Sequence, residues 1–225
     1  MMRRRFYNKG KKIDFNDYAT IEAVEDNVYV DLNRSIFCSV NKGPWKKEDD
    51  VYLKRGDCLY LKDTIRKGGT CVKFHIDGKI NLLGNALSLV FGDDAKYHSD
   101  ISEFPSVFSS VFLYVEVINI SNDFLPATTL SSSCYSSMFR GCTSLTTAPT
   151  LPATTLSYYC YSSMFDGCSK LNYIKALFTT TPSSTYTSNW VYGVASSGTF
   201  VKSKDSTWYE TGVNGIPAGW TVITE

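Results

Sequence analysis

Apolar and polar residues alternate in short runs between residues 19 and 92. ATIEAVE, NVYVDL, SIFCSV, DVYLKRGDCLYLKD, TCVKFHIDGKINLLG and ALSLVFG are rich in Val, Ile, Tyr, Phe and Leu. Val28, Val30 and Leu32 fall on one face of an extended segment, with Tyr29 and Asp31 on the other. That period of two predicts β-strands. Turn signals separate the runs: Asn41-Lys42-Gly43-Pro44, Lys54-Arg55-Gly56-Asp57, Lys67-Gly68-Gly69 and Asp77-Gly78. Asp77-Gly78, between 71–76 and 79–83, is the clearest two-residue hairpin signal. Six or so strands at this spacing predict a small antiparallel β-sandwich, with Trp45 covering one end and no helix.

From Phe104 onward the pattern changes. Between residues 104 and 165 the only charged residues are Glu116, Asp123 and Arg140, and serine and threonine dominate. The segment repeats: 125–130 (LPATTL) recurs as 151–156, 134–139 (CYSSMF) as 160–165, Gly141-Cys142 as Gly167-Cys168, and Leu145 as Leu171. The period is 26 residues. A worn copy precedes them, because Phe108 and Phe112 match Tyr135 and Phe139 at an offset of 27. Leu130, Cys134, Met138 and Cys142 are spaced by four, as on one face of a helix. Gly141 then suits a helix end, and Pro149 and Pro152 keep the following piece extended.

One helix and one short strand per 26 residues lie within the period of leucine-rich solenoids. The expected fold class is therefore α+β: an N-terminal antiparallel β-sandwich, a short helix–strand leucine-rich-repeat solenoid and a C-terminal cap. The expected units are a basic arm (1–18), the sandwich (19–100), the repeats (101–178) and a cap (179–225), where the repeat is lost and Trp190, Trp208 and Trp220 gather. In such a stack, like residues 26 apart form ladders.

Composition narrows the function. The chain has 225 residues and a formal net charge of +1, which argues against nucleic-acid binding by bulk electrostatics. The charge is uneven. Arg3, Arg4, Arg5, Lys9, Lys11 and Lys12 stand in the first twelve residues without an acid, leaving 17 basic against 22 acidic residues elsewhere. This arm, with Phe6 and Tyr7, reads as a solvated terminus or as an anchor for an acidic protein surface, and third as a nucleic-acid contact, because it is short and nothing downstream continues the basic track. No run of 18 apolar residues predicts membrane insertion, and no apolar stretch after the charged start predicts a secretory signal.

The 125–130 and 134–145 repeats, the 172–177, 190–195, 198–202 and 215–222 segments, and the opening Arg3-Arg4-Arg5-Phe6-Tyr7-Asn8-Lys9 resemble the BspA-like leucine-rich repeat family. Such proteins are common in gut Bacteroidales and in their tailed phages, including crAss-like phages. The resemblance implies a non-enzymatic structural or recognition role. The setting it implies is a virion, as fibre, decoration or host-recognition protein, with a bacterial surface adhesin or interaction module as the alternative. The implied partners are other virion proteins through the arm or β domain, and a host surface protein or glycan through the repeats. No nucleic acid and no cofactor is implied.

Few residues suggest reactive chemistry. Cys134, Cys142, Cys160 and Cys168 are spaced C-x7-C twice, which is wide for structural zinc; core packing is the first reading, a disulfide the second and metal binding the third. Cys38, Cys58 and Cys71 read as core. His75 and His98 each stand without a nucleophile signature, and no G-x-S-x-G, P-loop or dinucleotide fingerprint occurs. The expected binding residues are Tyr135, Tyr158, Tyr159 and Tyr161, flat aromatic faces among many hydroxyls.

Overall fold

The computed structural model describes residues 14–71 and 73–225. The proposed anchoring residues Arg3, Arg4, Arg5, Phe6, Tyr7 and Lys9 lie outside the described residues.

The alternating runs form strands: β1 (Ala19–Ala23), β2 (Val28–Val40), β3 (Lys46–Leu53), β4 (Cys58–Lys62), β5 (His75–Asp77) and β6 (Ile80–Leu83). Val28, Val30 and Leu32 are buried, as alternation requires. NVYVDL and SIFCSV merge into one bent strand, with a register shift between Asp31 and Ile36. Its first half lies between β3 and β5, its second between β3 and β4. The sheet runs β3-β2-β4-β1-β6 and then to β7 (Val117–Ile120), with β5 on β2, giving a sandwich-like arrangement.

Asp77-Gly78 does not close a hairpin. β5 pairs with β2 and β6 with β1, so the turn is a corner between two parts of the sheet. Gly78 has φ +114°, and a Cβ there would stand 2.9 Å from a Val28 methyl, so the corner needs glycine. ALSLVFG is not a strand either; it holds a short helix, α1 (Ser88–Phe91), followed by a 3-10 segment (Gly92–Tyr97). The buried Ser88 hydroxyl donates to the Leu61 carbonyl (2.7 Å) and accepts the Ala19 N–H (2.8 Å). Those contacts tie the helical turn to β1 and β4, which local propensity does not encode.

The expected helix–strand leucine-rich-repeat solenoid is not the fold, and the α+β class falls with it. Among the described residues the one α-helix is α1, outside the repeats, and the chain is mostly sheet and turns. Each repeat contributes a row of successive turns instead of a helix. In the row 133–142, Ser136, Met138, Arg140 and Cys142 donate their N–H groups to the carbonyl three residues back. The alternate residues Ser133, Tyr135, Ser137, Phe139 and Gly141 donate to carbonyls of Tyr158, Cys160, Ser162, Met164 and Asp166, at 2.7–3.0 Å. Every fourth residue takes a positive φ: Ser133 (54°), Ser137 (55°), Gly141 (74°). Such a ribbon repeats every four residues, so it faces Cys134, Met138 and Cys142 inward just as a helix would. The left-handed residues cost about 1–2 kcal/mol each; the bonds between rows offset that.

Equivalent rows span 106–115, 159–168 and 185–194. The last lies in the segment expected to have lost the repeat. Phe165 donates to the Trp190 carbonyl and Gly167 to that of Tyr192, continuing the 26-residue register with different side chains. A sequence signal existed, in Ser188 and Gly193, 26 residues after Ser162 and Gly167. On the opposite side β8 (Tyr173–Ala176), β9 (Thr199–Lys202) and β10 (Thr221–Thr224) form a parallel sheet. Residues 147–151 join β8 only through isolated bridges at Thr147 and Leu151, because Pro149 lacks an N–H to share.

One hydrophobic cluster runs from Ala19 to Trp220. Phe74 stacks on Phe112 (5.1 Å), Phe112 on Phe139 (5.9 Å) and Phe139 on Phe165 (5.9 Å). The N-terminal sheet thus covers the first row, also through Cys71 and Phe74 N–H groups donated to Val107 and Val111. Trp190, Phe178, Phe200 and Trp208 close the far end. No described helix is long and apolar enough to cross a membrane.

Candidate interaction surface

The turn rows present columns of equivalent residues on their outer side. Ser110, Ser137, Ser163 and Asn189 form one such column, all with positive φ. Adjacent rows bonded through the backbone stand about 4.8 Å apart, so the three serine hydroxyls, and then the Asn189 amide, recur at that spacing. Along the trailing edge Gly141, Gly167 and Gly193 stack, with each added Cβ 3.6 Å from the preceding glycine Cα at Gly167 and Gly193. In the first row Tyr114 takes the glycine position at φ 60°, and its ring folds over Gly141.

The four expected tyrosines divide. Tyr135 and Tyr161 are not surface faces: they are 1% and 0% exposed and stack on each other (6.0 Å, 7°). Phe108 continues that stack above Tyr135 at 5.5 Å. The reason is phase: each follows a core cysteine in the four-residue ribbon and shares its inward side, so both rings serve packing. Their hydroxyls are buried without a hydrogen-bond partner among the described residues, and burial raises both phenols well above their usual range. Tyr158 is 54% exposed and meets half-buried Tyr159 edge-on at 4.2 Å, at the leading edge of its row. Tyr114 and Tyr192, not anticipated from sequence, are also exposed and stand at the trailing edge. Solvent-facing tyrosines therefore flank the serine columns on both edges. Arg140 and Asp166, on neighbouring rows, form an ion pair at 2.9 Å on this side.

The cysteines pack in the core. Cys134, Cys142, Cys160 and Cys168 are fully buried and free. Cys142 and Cys168 direct their thiols to the Phe112 and Phe139 carbonyls at 3.2 and 3.0 Å. Burial pushes the Cys160 and Cys168 thiols up to about 12. Such thiols are poor nucleophiles and poor ligands at neutral pH. Cys58, expected in the core, is only half-buried. His75 is exposed, 3.7 Å from Asp77, and His98 stacks on Phe91 at 3.9 Å.

A second feature lies where the described chain begins. Phe15 stacks on Trp45 (6.2 Å, 5°) and meets Tyr60 edge-on. Lys62 places its ammonium 4.2 Å from the Trp45 ring centre and 2.7 Å from Asp93. Trp45 thus covers an end of the sheet through a cation–aromatic cluster. A recess of about 400 Å³ adjoins it, lined by Val40, Pro44, Lys46, Glu48, Asp50 and Val51 among others.

Compared with known proteins, the chain matches no family model, no curated protein and no solved structure.

Proposed function

We propose that this chain is a non-enzymatic structural or recognition protein that meets its target through the outer side of the turn rows. The observation that carries this reading is the charge-poor face of serine columns flanked by exposed Tyr114, Tyr158 and Tyr192. Rigid aromatic rings supply contact area at low entropic cost, and neighbouring hydroxyls supply hydrogen bonds. That chemistry suits a glycan or a polar protein surface. The thiols of the rows point the other way, into a core that holds their protons. The likeness of the repeats to BspA-like sequences supports a virion component as the setting.

Two measurements test this. Mass spectrometry of purified phage particles is expected to find the chain; its presence only in a bacterial envelope fraction would replace the virion reading with the adhesin one. Binding to isolated host-envelope polysaccharide and protein fractions is expected to fall at least about tenfold when Tyr114, Tyr158 and Tyr192 are all changed to serine. Undiminished binding by the folded triple variant removes the face from the proposal.

A further inference from the structure

Among the described residues, the edge strands β3 and β10 differ in a way that assigns one of them a partner. β3 is the free edge of the larger sheet, and Lys46, Lys47, Glu48, Asp49 and Asp50 line it. Charges of both signs are a standard means of blunting an edge. β10 is the free edge of the smaller sheet and carries none: it reads Thr-Val-Ile-Thr, exposed on both faces, with Val222 at 43% and Ile223 at 47%. It holds no proline, and its register with β9 is unbroken.

The backbone of β10 sets which groups are free. The Thr221 N–H donates to the Gly198 carbonyl (2.9 Å), and the Glu225 N–H to that of Lys202 (3.1 Å). The Glu225 carbonyl accepts from Lys204 (2.7 Å). In an extended strand a residue's N–H and C=O point to the same side, and alternate residues point oppositely. Residues 221, 223 and 225 therefore face β9, and Val222 and Thr224 turn their backbone groups outward. Among the described residues no strand pairs with that side.

We propose that β10 pairs antiparallel with β10 of a second copy, about a two-fold axis at Ile223. With Val222 opposite Thr224 of the second copy, and the reverse, both outward residues of each strand are used and four backbone hydrogen bonds form. Ile223 then faces its own counterpart at a non-hydrogen-bonded position, where side chains come closest. Glu225 falls opposite Thr221, so no like charges meet. Pairing with β3 would instead set Val222 and Ile223 against charged side chains. The result is a continuous six-stranded sheet and an isologous dimer that presents two tyrosine-edged faces. This goes beyond the recognition reading and does not depend on it.

Sedimentation of the whole chain from about 10 µM to 1 mM tests the pairing. So short an interface predicts a dissociation constant on the order of 100 µM. Ile223→Lys and Ile223→Glu each place like charges across the axis and are expected to weaken association at least about tenfold. Mixing the two variants is expected to restore a dimer, because only a two-fold at residue 223 sets one against the other. Hydrogen exchange on the unaltered chain gives an independent reading: the Val222 and Thr224 amides slow as concentration rises. A wild-type monomer throughout, an Ile223→Lys variant that associates normally, or a mixture that stays monomeric would each overturn the proposal.

Discussion

Phe139→Ala probes the continuity of the core most directly. Phe139 is 0% exposed and sits between Phe112 and Phe165, each 5.9 Å away and within 8° of parallel. Removing a buried phenylalanine costs about 3–5 kcal/mol in transfer and cavity terms, and the two ring contacts place this site toward the upper end. Total stability of a domain is about 5–15 kcal/mol, so the variant should lose about a fifth or more of it. For a chain of this length that is a melting-point drop of roughly 6–20 °C. Urea unfolding followed by far-UV circular dichroism reads the loss. Changing Phe37, which is 42% exposed, to alanine serves as control, with an expected change within about 0.5 kcal/mol. Tryptophan fluorescence adds a second reading, since Trp45 lies in the N-terminal sheet and Trp190, Trp208 and Trp220 lie at the far end. One core predicts that all probes shift together. A loss below about 1 kcal/mol, or an early C-terminal transition with an unmoved N-terminal one, would refute the continuous stack.

Three further outcomes follow from the rows. Gly167→Ala meets only ordinary contacts, 3.6 Å from the Gly141 Cα, so its cost of about 1–2 kcal/mol comes from φ +77° alone; Gly167→Asn should cost less in the same urea titration, and equal costs would discount the backbone explanation. The buried thiols make stability fall at high pH. Cys160 and Cys168 titrate near 12 when folded against 9.0 ordinarily, and Cys134 and Cys142 are also raised well above 9.0. Between about pH 9 and 12 the unfolded chain therefore releases protons that the folded chain keeps, and each thiol removes up to about 1.4 kcal/mol per pH unit. The urea midpoint should drop from pH 8 to 10.5, less steeply in a Cys134→Ala, Cys160→Ala variant; identical slopes would contradict it. Cys142→Arg puts an unpaired charge between rows and is expected to abolish cooperative unfolding, whereas an unchanged melting profile would show that the site is not closed.

Much of the core, but little of the candidate face, was legible in residue spacing. The 26-residue identity names which residues stand over one another, and the alternation in 28–32 names the buried face of β2. Exposed Tyr158 was legible as well, since it lies outside the apolar four-residue series. The assignment of Tyr135 and Tyr161 failed because a residue beside a core position is outward on a helix flank but inward on this ribbon. Tyr114 escaped notice because it replaces a glycine in the most worn repeat.

What the amino-acid order determines by itself is therefore a list of inward side chains and a stacking period. Neither says where the backbone N–H groups go. A spacing of four fits a helix, whose N–H groups are satisfied within the segment, and equally a ribbon of turns, whose alternate N–H groups need a neighbour. Only the assembled stack supplies that neighbour, through carbonyls such as those of Cys160, Ser162 and Met164. The same holds at Asp77-Gly78, where the turn is local but the partners of β5 and β6 are chosen by the sheet. Side-chain periodicity is written along the chain; hydrogen-bond partnership is decided between segments distant in it.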